Sequence, residues 1–338
     1  MVAVRMLKVF ITVDTEIWPN ASKWPWTPLA ADRDLAREID WYFYGGKGKE
    51  PRGVPYQLRM LADAGLKATY FVDPLFATAT GAPPLRDLVS TIRAHKQEIG
   101  LHVHPEWLTD PRCEALPKFS GPILHRYEQK DQYELMRVGL ERLRDANAGT
   151  IGSFRAGSWG ADLSTLRALR QTGIRYDSSL NARFRSSFPD MPAAIRESTQ
   201  PLQLEGVWEV PVTSFIDRPP GGRRPLHVCA ASLAEFRTVL EHAADSRWFG
   251  VVIVMHSFEF VRVNQLHQRR GAASQRLLAH RFEGLCTYLA TNTDRFQTCH
   301  FSDLDGDPVS DPSNAAPATS SYTRTASRYL QQAVSRIY

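Results

Sequence analysis

The sequence is poor in cysteine. Its 338 residues hold four, Cys113, Cys229, Cys286 and Cys299, and no two form Cys-x-x-Cys. That spacing in a chain this large excludes a disulfide scaffold and leaves reduced thiols. No apolar stretch reaches the ~20 residues needed to cross a bilayer. The apolar run at residues 7–13 is short and soon meets Asp14 and Glu16, which excludes a signal-peptide core there. A dense Lys/Arg run is also missing. The net charge of +5, from 41 Lys+Arg against 36 Asp+Glu, reads as a solvated surface and not a nucleic-acid face. The expectation is a cytoplasmic protein with no membrane span and no nucleic-acid partner, its oligomeric state open. Hydrophobic content of 43% with 23% charged residues is ordinary for a globular enzyme.

What is present is alternation. Residues 8–13 are β-branched and apolar without a period of two, as in a strand buried on both faces. Further strands are expected at 67–72, 98–104, 152–157, 174–179, 207–212 and 250–256, and a last one at 296–301. Between them, apolar residues fall at helical spacing, as at Leu85, Leu88, Val89 and Ile92. Ser232 and Glu235 form a Ser-x-x-Glu capping box ahead of another helix. Strand–helix alternation means βα units and a parallel sheet. Seven or eight units fit a distorted α/β barrel. Residues 1–304 form this domain, 305–323 read as a flexible linker, and 324–338 as a short terminal helix or tail. Residues 17–53 read as a long aromatic loop after the first strand, either a wall for a sugar ring or a satellite core.

The unusual polar residues cluster at strand carboxyl ends: Asp14, His102, His104, Arg155, Asp177 and His256. Parallel α/β folds build their sites at that end. His102 and His104 are two apart, so on a strand they share a face and reach a common point. Imidazole is the commonest side-chain ligand for a divalent transition metal. Pro105 stops the strand there. Asp14 and Glu16 repeat the same spacing on the first strand.

These motifs, taken in order, resemble the polysaccharide deacetylase family, the NodB-like metal-dependent sugar de-N-acetylases of carbohydrate esterase type. The resemblance runs over about residues 7–303. It is carried by Asp14-Thr15-Glu16, by His102-Val103-His104-Pro105, by Arg155-Ala156-Gly157 and by Ile253-Val254-Met255-His256. Residues 65–72 also resemble the family's second strand. Two departures stand out. Thr15 replaces the second of two adjacent Asp, and the His pair is separated by one residue, not three. The fourth family motif is unclear; residues 176–179 and 208–211 are its candidate remnants.

The resemblance implies a (β/α) barrel that hydrolyses the acetamide of a sugar or polysaccharide precursor. It implies Zn²⁺, or another divalent transition metal, on Glu16, His102 and His104. Asp14 is then the general base, and Arg155 pairs with it and keeps it ionised. His256 protonates the leaving amine. Trp18, Trp107, Trp159 and Glu106 are expected against the substrate. Glu259 is expected to orient His256, and Asp177 to back a histidine. Three other readings remain. An amidohydrolase barrel acting on a small amide also uses His-x-His, but on its first strand. A non-catalytic glycan-binding barrel would not need base and acid together. A glycosidase using Asp14 and Glu16 is poorly served by two acids on one strand face.

Overall fold

The computed structural model describes residues 6–17, 34–46, 52–109, 121–218, 221–261, 275–304, 306, 308 and 316–337. In chain order the first half gives β1 (Leu7–Thr15), α1 (Leu35–Tyr44), α2 (Val54–Asp63), β2 (Ala68–Val72), α3 (Ala77–Thr80), α4 (Pro83–Ala94), β3 (Glu98–Val103), α5 (Gln129–Asp145), β4 (Ser153–Ala156), α6 (Leu163–Thr172) and β5 (Tyr176–Asp177). The second half gives α7 (Ala193–Arg196), β6 (Leu202–Leu204), β7 (Val207–Glu209), β8 (Ser214–Ile216), β9 (Arg223–Pro225), α8 (Leu233–Asp245), β10 (Gly250–His256), α9 (Arg276–Thr291), β11 (Phe296–Thr298) and α10 (Tyr322–Ile337).

The main sheet runs β10-β1-β2-β3-β4-β5-β7-β6, with β11 also paired to β1. Every pairing in it is parallel except β6 with β7. The sheet curls into a distorted (β/α) barrel, as its strand–helix alternation predicts. Where the sheet path ends at β10, residues 226–228 run beside that strand. His227 bridges in parallel to Val254, and Val228 N and Val254 N donate to Val254 O and Leu226 O, each at 3.1 Å.

Strand geometry sends alternate residues to opposite faces. On β1, Val9, Ile11 and Val13 join the cluster packed under the helices. Phe10 joins the interior cluster with Phe71, Tyr176, Val252, Val254 and Phe301. Phe10 and Phe301 stack there at 4.9 Å and plug the amino end of the barrel. Continuing the same phase upward, Thr12, Asp14 and Glu16 follow Phe10 toward the carboxyl end. Gly100 makes room on β3: a Cβ there would lie 2.6 Å from the Phe71 ring.

Two expectations are corrected. The aromatic excursion after β1 is not all loop, because residues 35–44 form α1. Asp34 caps it by accepting from Arg37 N at 3.0 Å, and Gly45 ends it at φ 79°, the left-handed position that favours glycine. The expected linker is tied down over its last residues. Ile216 N donates to Ala318 O and Ser320 N to Ile216 O, both at 2.8 Å, so this stretch adds to the β8 edge. The expected capping box at Ser232 and Glu235 is present. No described helix is long and apolar enough to cross a membrane.

Candidate active site

Four strand ends meet at the barrel's carboxyl mouth. Register places Asp14 beside His256 across β1 and β10, and His102 beside Arg155 across β3 and β4. Glu16 and His104 stand one step beyond their strands in the same phase. Asp14, Glu16, His102 and His104 are all buried, and Arg155 is fully so. His256 is the most open of the group, with 28% of its side chain exposed.

The three expected metal ligands converge. His102 Nε2 lies 3.1 Å from Glu16 Oε2 and 3.1 Å from His104 Nε2, and His104 Nε2 is in close contact with Glu16 Oε2. The opposite ring nitrogens are held elsewhere. His102 Nδ1 donates to Arg155 O at 2.7 Å, and His104 Nδ1 to Glu106 Oε2 at 3.1 Å. With both Nδ1 atoms protonated, both Nε2 atoms carry lone pairs aimed at the same point as a carboxylate oxygen. Three acceptors facing one another with no donor suit a cation. Two imidazoles and a carboxylate are a set found in catalytic zinc sites, where a fourth position stays open. These residues are one of the groups able to hold an ion. Burial alone would raise the Glu16 carboxyl. Without an ion, a proton on His104 takes the cation's place: its charge and the hydrogen bonds from the imidazoles outweigh burial and hold the group well below its ordinary value.

Arg155 lies against Asp14, the partner the sequence reading gave it. It is fully buried and spends its donors on the protein: Nη1 on Asp14 Oδ1 at 2.7 Å and Thr12 Oγ1 at 2.8 Å. Nε donates to Ser178 O at 2.9 Å and Nη2 to Ser178 Oγ at 3.0 Å. Its guanidinium also lies over the Phe71 ring at 4.4 Å. Arg155 aims Asp14.

His256 and Glu259 form a pair. Glu259 Oε2 accepts from His256 N at 3.0 Å and from Nδ1 at 3.1 Å. Nε2 is thereby turned toward the site, 3.7 Å from Glu16 Oε1. Burial would lower the imidazole. The hydrogen bond and charge of Glu259, with Glu16 and Asp14 behind, push it up to about 9. The ring is an imidazolium at neutral pH.

Other expected residues stand differently. Trp107 is fully buried, and its Nε1 donates to Asp73 Oδ2 at 2.9 Å. It packs near Phe76, so it is a core residue and not a sugar platform. Glu106 braces His104 where a substrate contact was expected. Asp177 backs no histidine. Tyr176 points into the barrel, so Asp177 takes the opposite face, where it accepts from Ser179 Oγ at 2.5 Å and pairs with Glu209. Burial and the Asp177 charge raise Glu209 well above its ordinary value, and burial raises Asp177 as well. Trp159 is half-buried, stacked on Phe184 at 6.0 Å, with a backbone φ of 58°. Trp18 lies outside the described residues.

Two residues near the site had no role in the sequence reading. Asp73, at the end of β2, is fully buried, and burial pushes its carboxyl up to about 6 against the pull of both site histidines. His227 lies with its ring 5.1 Å from that of His256. Asp73 carried a signal, a carboxylate at a strand's carboxyl end. His227 carried none, because only the pairing of residues 226–228 with β10 brings it there.

No family model matches the chain, and no curated protein matches it in sequence. Solved structures do. A Mycobacterium smegmatis protein assigned as a polysaccharide deacetylase is 17% identical, with 95% of this chain and 96% of that one covered and a TM-score of 0.57. The chain therefore has the polysaccharide deacetylase fold. It is also similar, at a TM-score of 0.40 in both cases, to two further structures. One is a family 4 carbohydrate esterase from Streptomyces lividans in complex with acetate, 13% identical over 78% of this chain and 93% of that one. The other is the chitin deacetylase of Colletotrichum lindemuthianum, 12% identical over 95% of each chain.

Proposed function

We propose that the chain is a metal-dependent hydrolase that removes the acetyl group from the nitrogen of an N-acetylated sugar in a polysaccharide or its precursor. The observation that carries this reading is the convergence of Glu16 Oε2, His102 Nε2 and His104 Nε2 beside Asp14 and His256. Glu16, His102 and His104 would hold Zn²⁺ or another divalent transition metal. Such an ion polarises a carbonyl and lowers the pKa of water toward ~7.

The chain's own groups divide the proton work. Asp14 takes the proton of the attacking water as general base. Arg155 fixes the carboxylate's direction through Oδ1. His256 enters as the imidazolium and gives the Nε2 proton to the leaving amine, while Glu259 holds Nδ1. One wall thus supplies base and acid together, which a glycan-binding module would not need. Glu16 is committed to the two imidazoles, which disfavours a glycosidase pairing of Asp14 with Glu16. Among the described residues, half-buried Trp159 is the aromatic we place against the sugar ring.

The test is metal content and acetate release of the purified protein against N-acetylated sugars. The wild type is expected to carry an ion on these three ligands and to release acetate. Glu16→Ala and His102→Ala are expected to carry one ion fewer than wild type and to release no acetate. Equal metal loads in all three proteins would overturn the ligand set. Metal-loaded wild type that releases no acetate would overturn the reaction.

A further inference from the structure

Beside the first cluster, His227, Cys229 and Glu259 bring three more ligating side chains together, with donor atoms all within 4.8 Å of one another. The fold explains the meeting. His227 bridges to Val254, two residues before His256. The chain then turns, with Ala230 N donating to His227 O at 2.9 Å. That turn brings Cys229 Sγ to 3.0 Å from His227 Nδ1. Glu259 arrives from the turn after β10, with Oε2 at 3.9 Å from His227 Nε2.

We infer that His227, Cys229 and Glu259 form a second zinc site, and that filling it disarms His256. An imidazole, a thiolate and a carboxylate are a donor set that Zn²⁺ accepts. None of the three is shared with Glu16, His102 and His104. His227 offers a buried imidazole. Cys229 is exposed, which gives an ion a way in. On binding, the Cys229 Sγ–H bond breaks, its proton leaves to solvent, and the thiolate keeps the electron pair for the metal. Glu259 is then drawn to the ion. The carboxylate that aims His256, by accepting from its N and Nδ1, is the one the ion takes. Binding stands apart from the proposed reaction, but the loss of turnover rests on the deacetylase reading.

The experiment uses the full chain, stripped of metal and titrated with Co²⁺. Sulfur-to-cobalt charge-transfer absorption reports the thiolate. Wild type is expected to bind two ions, and the sulfur band to appear in Glu16→Ala as well as in wild type. Cys229→Ser is expected to lose the band and bind one ion fewer. In parallel, excess Zn²⁺ is expected to lower acetate release by about tenfold in wild type, and far less in Cys229→Ser, each against its own rate at one equivalent. No sulfur band in wild type, or equal inhibition of both proteins, overturns the inference. A sulfur band without acetate release from either protein upholds the second site and counts against the deacetylase reading.

Discussion

His256 shows how one neighbour sets a side chain's chemistry. Its ring is raised to about 9 although burial alone would lower it, and the Glu259 hydrogen bond and charge are the main cause. The acid form is the imidazolium, so it is present below the raised value and lost as pH climbs through it. Acetate release is expected to hold through neutral pH and fall on the alkaline side. A cation on Glu16 would cancel part of that carboxylate's pull and move the limb down. Glu259→Gln removes the largest raising influence, so its alkaline limb is expected about 1–3 units lower than in wild type. Paired pH–rate profiles check this, and coincident limbs would exclude the role given to Glu259. His104 is set by neighbours in the same way. Glu106 holds its Nδ1 at 3.1 Å, and Gly157 leaves room for its ring, because a Cβ at 157 would lie 2.8 Å from two ring carbons. Glu106→Ala is expected to weaken metal affinity about 10–100-fold, the usual effect of removing a ligand's hydrogen-bond partner. Gly157→Ala should weaken it too, by pushing the ring. Competition with a chelating dye measures both.

At the scale of elements, legibility followed phase and strand ends. β1, β3 and β10 are buried runs that end in polar residues, and the side-chain period of two fixes which of those residues face inward. That is why Asp14, Glu16, His102, His104 and His256 could be read together. Asp177 failed by the same rule, because β5 is two residues long and too short to show its phase. Trp107 failed because an aromatic after a strand end looks alike whether it lines the mouth or packs beneath it. α1 was hidden among tryptophans and tyrosines, although Leu35, Ile39, Tyr42 and Phe43 keep helical spacing. The terminal helix gave periodicity but no partner, because its anchor comes from residues far away in sequence. Arg328 is fully buried. Its Nη2 donates to Asp217 Oδ1 and Oδ2 at 2.7 and 2.8 Å, and its Nε to Glu235 Oε1 at 3.2 Å. Removing one partner of a buried ion pair strands the others, so Arg328→Ala is expected to cost about 3–5 kcal/mol. A shifted denaturant midpoint would register it. A change within error would mean that α10 adds little to the barrel.

For the whole molecule, the barrel concentrates charge at its carboxyl mouth. Glu16, His102 and His104 are held there by β1 and β3, strands buried on both faces that cannot spread apart. Two lone pairs and a carboxylate oxygen crowd one point, and the fold must bear that repulsion unless a proton or a cation lies among them. A cation bound only by the folded chain stabilises it by RT ln(1 + [L]/Kd), about 4 kcal/mol at a thousandfold excess over Kd. Stripping the metal with a chelator is therefore expected to lower the melting temperature by several degrees, and adding the metal back to restore it. With Cys229→Ser in both proteins, so that only the first site can fill, Glu16→Ala should melt at one temperature with or without chelator. The comparison separates metal binding from a general effect of the chelator, and it needs no knowledge of the sugar. If wild type and Glu16→Ala respond alike, the cation does not sit between β1 and β3, and the proposed hydrolysis loses its centre.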